Sequence, residues 1–158
     1  MNQLLHSIKT ILLNRKETIA IAESVTGGDI QSAFSSTENA GDFFEGGITV
    51  YNIHQKIKHL HVDPVDALAS NCVSEQVACT MAVNVAKNFS SDWGIAVTGY
   101  ASEMPEKGIH DLYAWVAFSY KGKIRLSDRL TSLKESPVVV RWNYKDKILR
   151  LFLRILHE

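Results

Sequence analysis

The chain has 158 residues, 46% of them hydrophobic and 22% charged, with 17 Lys+Arg against 17 Asp+Glu. A formal charge of zero argues against a nucleic-acid surface as its main business, and it leaves little repulsion to oppose self-association near neutral pH. No apolar run approaches the ~18 residues of a membrane-spanning helix, and Cys72 and Cys79 are too few and wrongly spaced for a disulfide framework or a metal knuckle. The expectation is one cytoplasmic domain over residues 1–158, with reduced, buried thiols and no membrane or nucleic-acid partner.

Residues 2–14 read as an amphipathic helix with Leu4, Leu5, Ile8, Ile11 and Leu12 on one face. They lack the basic start and continuous apolar core of a secretion signal. A short buried strand is expected over 18–23 and a helix over 27–37. Between them lies Ala22-Glu23-Ser24-Val25-Thr26-Gly27-Gly28. A strand that turns through Gly-Gly into a helix sets Ser24 near a helix N-terminus. Free backbone N–H groups and the helix dipole favour negative charge there, which suits a phosphate or a developing oxyanion. Ser24 is therefore a candidate nucleophile. The plainer reading of such a turn is close packing of a helix on a sheet.

Asp42–Gly47 reads as a turn, residues 46–51 as a strand and Ile53–Leu60 as a helix. Asp63-Pro64 opens a short helical piece, with Asp as N-cap and Pro at the first position. Ser74-Glu75-Gln76-Val77 caps a helix that runs to about Phe89. Trp93–Gly99 reads as a buried strand that ends in a second possible site loop. Leu112–Tyr120 and Lys123–Leu130 form a hairpin around Lys121-Gly122. A last helix runs from Ser136-Pro137 to Ile155, with Val138, Trp142, Leu149, Phe152 and Leu156 as its expected buried stripe. Mixed strands and helices without repeat or linker give an α/β fold, a single three-layer α/β/α domain with a mixed β-sheet.

Tyr51-Asn52-Ile53-His54-Gln55-Lys56 follows a strand and opens a helix. Strand ends of open α/β sheets are where sites form. If Lys56 lies beside Ser24, the pair is a Ser–Lys dyad, in which a desolvated lysine takes the serine proton. Otherwise Lys56 is a solvated surface lysine.

Four blocks then stand in order: Ala-Glu-Ser-x-Thr-Gly-Gly, Phe-Phe-x-Gly-Gly-x-x-x-Tyr-Asn-x-x-x-Lys, Val-Ser-Glu-x-Val-Ala and Gly-Ile-Ala-Val-Thr-Gly. Together they resemble the C-terminal domain of the CinA family, the nicotinamide-nucleotide amidohydrolases, over roughly residues 5 to 156. The resemblance implies a three-layer sandwich that hydrolyses the carboxamide of nicotinamide mononucleotide to nicotinic acid mononucleotide and ammonia. It implies Ser24 as nucleophile, Lys56 as base and Tyr51 as a further residue of the catalytic site. Glu23, Thr26, Gly27, Gly28, Gly46, Gly47, Thr98, Gly99 and Arg141 fall in its substrate-binding blocks. No metal or organic cofactor is implied; the implied partners are a nicotinamide nucleotide or nucleoside and further copies of the chain.

Two departures bear on activity. The family continues Val-Thr-Gly with a glycine-rich loop, whereas this chain reads Tyr100-Ala101-Ser102-Glu103-Met104-Pro105-Glu106-Lys107. Pro137 stands where the family has the first of two arginines, and Arg141 matches the second. Glu103 pointing inward would repel a phosphate, while Lys107 or Lys134 would compensate for the missing arginine. Asn71 and His61 replace common glycines, His110 another, and Val25 replaces a cysteine. Two readings stay open. One is an active amidohydrolase with an altered substrate, for instance one lacking the phosphate. The other is a degenerate paralogue that binds a ligand or a protein. The retained Ser24 and Lys56 favour the first.

His54, His59 and His61 lack a carboxylate or cysteine at ligand spacing and read as polar face and loop. Lys145, Lys147, Arg150 and Arg154 read as a solvated helix face. Trp93, Trp115 and Trp142 read as core or interface.

Overall fold

The structure, a computed structural model, describes residues 2–158. In chain order it runs α1 (Asn2–Arg15), β1 (Ile19–Glu23), α2 (Asp29–Ser35), β2 (Phe44–Thr49), α3 (Ile53–Leu60), α4 (Pro64–Ala69) and α5 (Glu75–Asn88). Then come β3 (Trp93–Gly99), β4 (Leu112–Tyr120), β5 (Lys123–Ser132) and α6 (Pro137–His157). The five strands make one sheet in the order β2-β1-β3-β4-β5. β1 lies parallel to both β2 and β3, while β3–β4 and β4–β5 are antiparallel. The sheet is mixed, as the sequence predicts. No helix among the described residues is long and apolar enough to cross a membrane.

The alternation of Ile and Ala in β1 sorts the two layers. Ile19 and Ile21 face a cluster that holds Leu5, Ile8 and Leu12 of α1, Ile30 and Phe34 of α2, and the buried stripe of α6. Ala20 and Ala22 face the other cluster, with Leu60 of α3, Ala67 of α4 and Ala78, Met81, Ala82 and Val85 of α5. The second face is built from small residues, so α5 sits very close to the sheet. A Cβ on Gly94 would lie 2.0 Å from the Ala82 carbonyl oxygen. Ser119 of β4 donates to that same oxygen at 2.9 Å.

Two helix starts, at Asp63 and Ser74, follow their sequence signals, and Asn52 caps a third. The Asn52 carboxamide oxygen accepts from Gln55 N, the Asp63 carboxylate from Val65 N and Asp66 N, and Ser74 Oγ from Val77 N.

Several boundaries differ from expectation. α2 begins only at Asp29, because Gly27 and Gly28 have φ of 62° and 104°, outside a right-handed helix. The expected turn at 42–47 is shorter, since Phe44 already opens β2 after a 3-10 turn at Ala40–Asp42. Along α6 the buried stripe is Val140, Tyr144, Ile148, Leu149, Phe152, Ile155 and Leu156. Val138 and Trp142 are 73% and 49% exposed, which corrects their placement in the stripe. Tyr144, absent from the expected stripe, belongs to it. It is fully buried and donates its hydroxyl to the Tyr100 carbonyl oxygen at 2.9 Å, which turns the helix to that register.

Trp93 is in the core, and Trp115 packs partly buried against the α5 face. Cys72 is buried as expected, whereas Cys79 is only partly so, and both are free.

Gly94→Ala should lower stability by about 2 kcal/mol or more, because its methyl meets backbone rather than a movable side chain. Gly41→Ala is the control, with nothing within 4 Å of the added Cβ, and should shift stability by no more than about 0.5 kcal/mol. Urea denaturation of both variants measures the difference.

Candidate active site

The chain leaves β1 towards the face of α2 and leaves β2 towards the face of α3, so a crevice opens beyond the carboxyl ends of the parallel strands. A cleft of about 570 Å³ lies there. Ser24 enters it from the end of β1, Tyr51 and Lys56 from the segment after β2, and Thr98 and Gly99 from the end of β3. The loop after β3 supplies Tyr100, Met104 and Lys107, and α6 supplies Pro137 and Arg141.

Ser24 and Lys56 meet at its base. Lys56 Nζ donates to Ser24 Oγ at 3.0 Å and to the Val50 carbonyl oxygen at 3.0 Å. Ser24 is 6% exposed and Lys56 2%. Burial pushes the Lys56 ammonium below its ordinary pKa, and the nearby Cys72 sulfur partly opposes that. Lys56 is therefore the buried amine of the sequence reading rather than its surface alternative. Tyr51, by contrast, is 66% exposed and stands at the cleft rim.

The Glu23 side chain does not line the cleft. It is fully buried and turned to the opposite side of the turn, where it accepts from Thr26 Oγ1 at 2.5 Å and from the backbone N–H of Gly28, Ile30 and Gln31 at 3.2, 3.1 and 2.7 Å. The N-terminus of α2, expected to receive a phosphate or an oxyanion, is thus filled by the chain's own carboxylate. Thr26 is spent on the same interaction. Gly46 and Gly47 are also away from the cleft. A Cβ on Gly47 would lie 2.4 Å from the Ile21 carbonyl oxygen, and one on Gly46 would lie 3.0 Å from the Phe89 ring. Gly47 lets β2 lie close to β1 and to Gln31 of α2, and Gly46 makes room for Phe89 at the end of α5. Gly27 and Gly28 shape the turn after Ser24, and a Cβ on Gly27 would lie 3.8 Å from Arg141 Nη1.

Thr98 Oγ1 donates to the Cys72 carbonyl oxygen at 2.7 Å and ties the β3 end to the wall of the cleft. That wall is a left-handed turn, with φ of 50° at Asn71 and 63° at Cys72. Asn71, which replaces a family glycine, takes the positive φ that position demands, as does His61 with φ of 54° at the end of α3. The Asn71 carboxamide donates to the Tyr100 hydroxyl at 3.3 Å. Sequence reasoning assigned no role to Tyr100. Its position directly after a β-strand that ends at the site was the available signal.

The two suspected compensating lysines part company. Lys134 lies 2.9 Å from Glu103, which therefore points away from the cleft, while Lys107 lines it. Arg141 Nε is buried without a hydrogen-bond partner. Among the described residues, no group of three or more His, Cys, Asp or Glu is placed to hold a metal ion.

The model of the CinA C-terminal domain matches residues 1–155. The chain belongs to the CinA C-terminal domain family. A putative competence-damage inducible protein of Moorella thermoacetica is 31% identical over 149 residues, 92% of this chain and 35% of the relative. A CinA-like protein of Synechocystis is 38% identical over 113 residues, 70% of this chain and 27% of the relative. The chain therefore spans only about a quarter to a third of these curated relatives. A solved CinA superfamily protein from Enterobacter cloacae superposes with a TM-score of 0.91 at 27% identity, covering 97% of this chain and 90% of that one. One from Klebsiella pneumoniae gives 0.92 at 22% identity, covering 98% and 96%, and shows the shared fold.

Within this CinA-type site Glu23 acts on position rather than on a ligand. Glu23→Gln removes the charge and turns an amide N–H₂ towards backbone donors. It should cost about 1.5–3 kcal/mol, the worth of hydrogen bonds to a charged group, read as a lowered denaturation midpoint.

Proposed function

We propose that the chain is an amidohydrolase in which Ser24 is the nucleophile and Lys56 the general base. It acts on the carboxamide of a nicotinamide nucleotide or nucleoside. The observation that carries this reading is the buried contact of 3.0 Å between Lys56 Nζ and Ser24 Oγ, in a cleft large enough for a small molecule. Family membership and the substrate class implied by the sequence blocks support it.

Burial favours the neutral amine over the ammonium. One Nζ–H is held by the Val50 carbonyl oxygen; in the neutral amine the contact with Ser24 reverses, and the Ser24 hydroxyl donates to the Nζ lone pair. Ser24 Oγ attacks the amide carbonyl carbon as its proton passes to Lys56. The resulting ammonium gives that proton to the departing nitrogen, and ammonia leaves an acyl ester on Ser24. Lys56 then takes a proton from water as its oxygen attacks the ester, and returns it to Ser24 as the carboxylic acid product departs and loses its own proton to solvent.

A second reading, a ligand-binding domain without turnover, is favoured by Pro137 at the position of the family's first arginine. Ammonia release separates the two. On the hydrolase reading, nicotinamide mononucleotide or nicotinamide riboside yields ammonia, and Ser24→Ala lowers the rate about a thousandfold or more with the fold intact. Ammonia release that persists in Ser24→Ala would sink the mechanism. Release of none from either compound, with binding retained, would establish the second reading.

The pH profile follows from the direction of the Lys56 shift. Below its lowered pKa the amine is protonated and cannot act as base, so kcat/KM should rise as pH increases through that value, which lies below the ordinary 10.5. Lys56→Arg, which stays protonated throughout, should show no such rise and no measurable turnover.

A further inference from the structure

Attack of Ser24 on an amide puts negative charge on the carbonyl oxygen, which calls for a fixed donor in the cleft. The N–H groups of Gly28, Ile30 and Gln31 at the start of α2 are occupied by Glu23. A side-chain donor stands at Tyr100.

Tyr100 is the first residue after β3 and lines the cleft, 6% exposed. Its backbone is pinned on both sides. The N–H donates to the Tyr113 carbonyl oxygen at 2.9 Å, and the carbonyl oxygen accepts from the Tyr144 hydroxyl at 2.9 Å. The ring meets that of Tyr113 edge-on, with centroids 5.3 Å apart. Asn71 also lines the cleft, and its carboxamide donates to the Tyr100 hydroxyl at 3.3 Å, which places that hydroxyl at the cleft wall. An oxygen that accepts from Asn71 keeps its own proton to give, and among the described residues that proton has no acceptor. Burial pushes the Tyr100 hydroxyl above its ordinary pKa, so it stays a neutral donor through neutral pH.

The hydroxyl belongs to the reacting end of the cleft. Cys72 follows Asn71 in the same left-handed turn, and its sulfur is close enough to feel both the Lys56 amine and the Tyr100 hydroxyl. One side chain thus separates Tyr100 from the base, whereas Tyr51 stands 66% exposed at the rim.

We propose that the Tyr100 hydroxyl, oriented by Asn71, donates a hydrogen bond to the carboxamide oxygen of the substrate and stabilises the oxyanion that forms there. The bond strengthens as the charge develops, and the proton stays on Tyr100 throughout. The inference rests on the hydrolase reading above for its substrate. The pair is a property of this chain: Asn71 stands where the family has a glycine, and Tyr100 opens the segment that replaces its glycine-rich loop.

Tyr100→Phe keeps the ring and removes only the donor. Ammonia release from nicotinamide mononucleotide should show kcat lowered about a hundredfold and KM changed by no more than about threefold. Asn71→Gly, which suits the φ of 50° there, should lower kcat about threefold in the parent protein and leave it unchanged in Tyr100→Phe, because Asn71 acts only through the hydroxyl. Calorimetry on Ser24→Ala protein adds a readout free of turnover. Nicotinic acid mononucleotide carries a negative oxygen where the amide has its carbonyl, so Tyr100→Phe in that background should weaken the acid about tenfold and the amide less. Ser24-dependent turnover that Tyr100→Phe leaves within about twofold would overturn the inference and keep the hydrolase. An Asn71→Gly loss that persists in Tyr100→Phe would overturn the role given to Asn71. If the parent protein releases no ammonia, the hydrolase reading falls and binding decides. Weakened binding of the acid in Tyr100→Phe then keeps the Tyr100 contact with the ligand oxygen, whereas unchanged affinities, or binding of neither compound, overturn it.

Discussion

The site depends on a carboxylate that never meets its ligand. Glu23 ends β1 fully buried, where an unpaired charge would cost several kcal/mol. Thr26 Oγ1 and the N–H groups of Gly28, Ile30 and Gln31 surround it. Three of these donors are backbone groups at the start of α2, which a helix leaves without internal partners. The charge and the free donors offset one another, and the segment between them is held as a closed turn. Ser24 and Val25 lie on that turn, so the direction of the Ser24 side chain follows from an interaction on its far side. The same contact forbids the N-terminus of α2 to any other anion.

Lys56 is placed by a different layer. It stands on α3, whose Leu60 is enclosed in the cluster with α5. The close approach of α5 to the sheet rests on Ala20, Ala22, Gly94 and Ala96, so the small residues of the strands set how near that helical layer comes to the β1 end. The turn fixed by Glu23 supplies the hydroxyl, and the α3–α5 layer supplies the amine. Burial of both between the layers lowers the Lys56 pKa, and the Cys72 sulfur beside it opposes that only in part.

Much of this was legible in the residues. Alternating Ile and Ala in β1, the Asp63-Pro64 start and the Ser74 cap carry their structure locally, and the ordered blocks around Ser24 and Lys56 told which strand ends belong together. Three features were hidden for physical reasons. Glu23 looked like a site residue because it adjoins Ser24 in the sequence; only the positive φ of Gly27 and Gly28 shows the chain folding back over its carboxylate. Tyr144 carries a hydroxyl that needs a partner if buried, and one hydrogen bond to the Tyr100 carbonyl supplies it and sets the face of α6. The outward aim of Glu103 and Lys134 goes with a tertiary ion pair that no local pattern encodes.

That ion pair also changes what the divergent loop means. A glycine-rich loop binds anions through backbone N–H groups that come close because no Cβ intervenes. Tyr100–Lys107 has no glycine, and its turn closes instead through Gly108, with φ of 70°, and the bridge between Met104 and Ile109. The loop is anchored at its start by the Tyr144 hydroxyl and by the Asn71–Tyr100 contact. An anchored loop with side chains holds a charge at its tip, where a glycine loop offers dipoles along its length. With Glu103 neutralised outside and Glu23 enclosed beneath, the remaining field in the cleft is that of Lys107, Arg141 and the start of α6. The basic lining of the cleft is thus a matter of tertiary placement, with Glu103 paired to Lys134 and Glu23 enclosed beneath the turn.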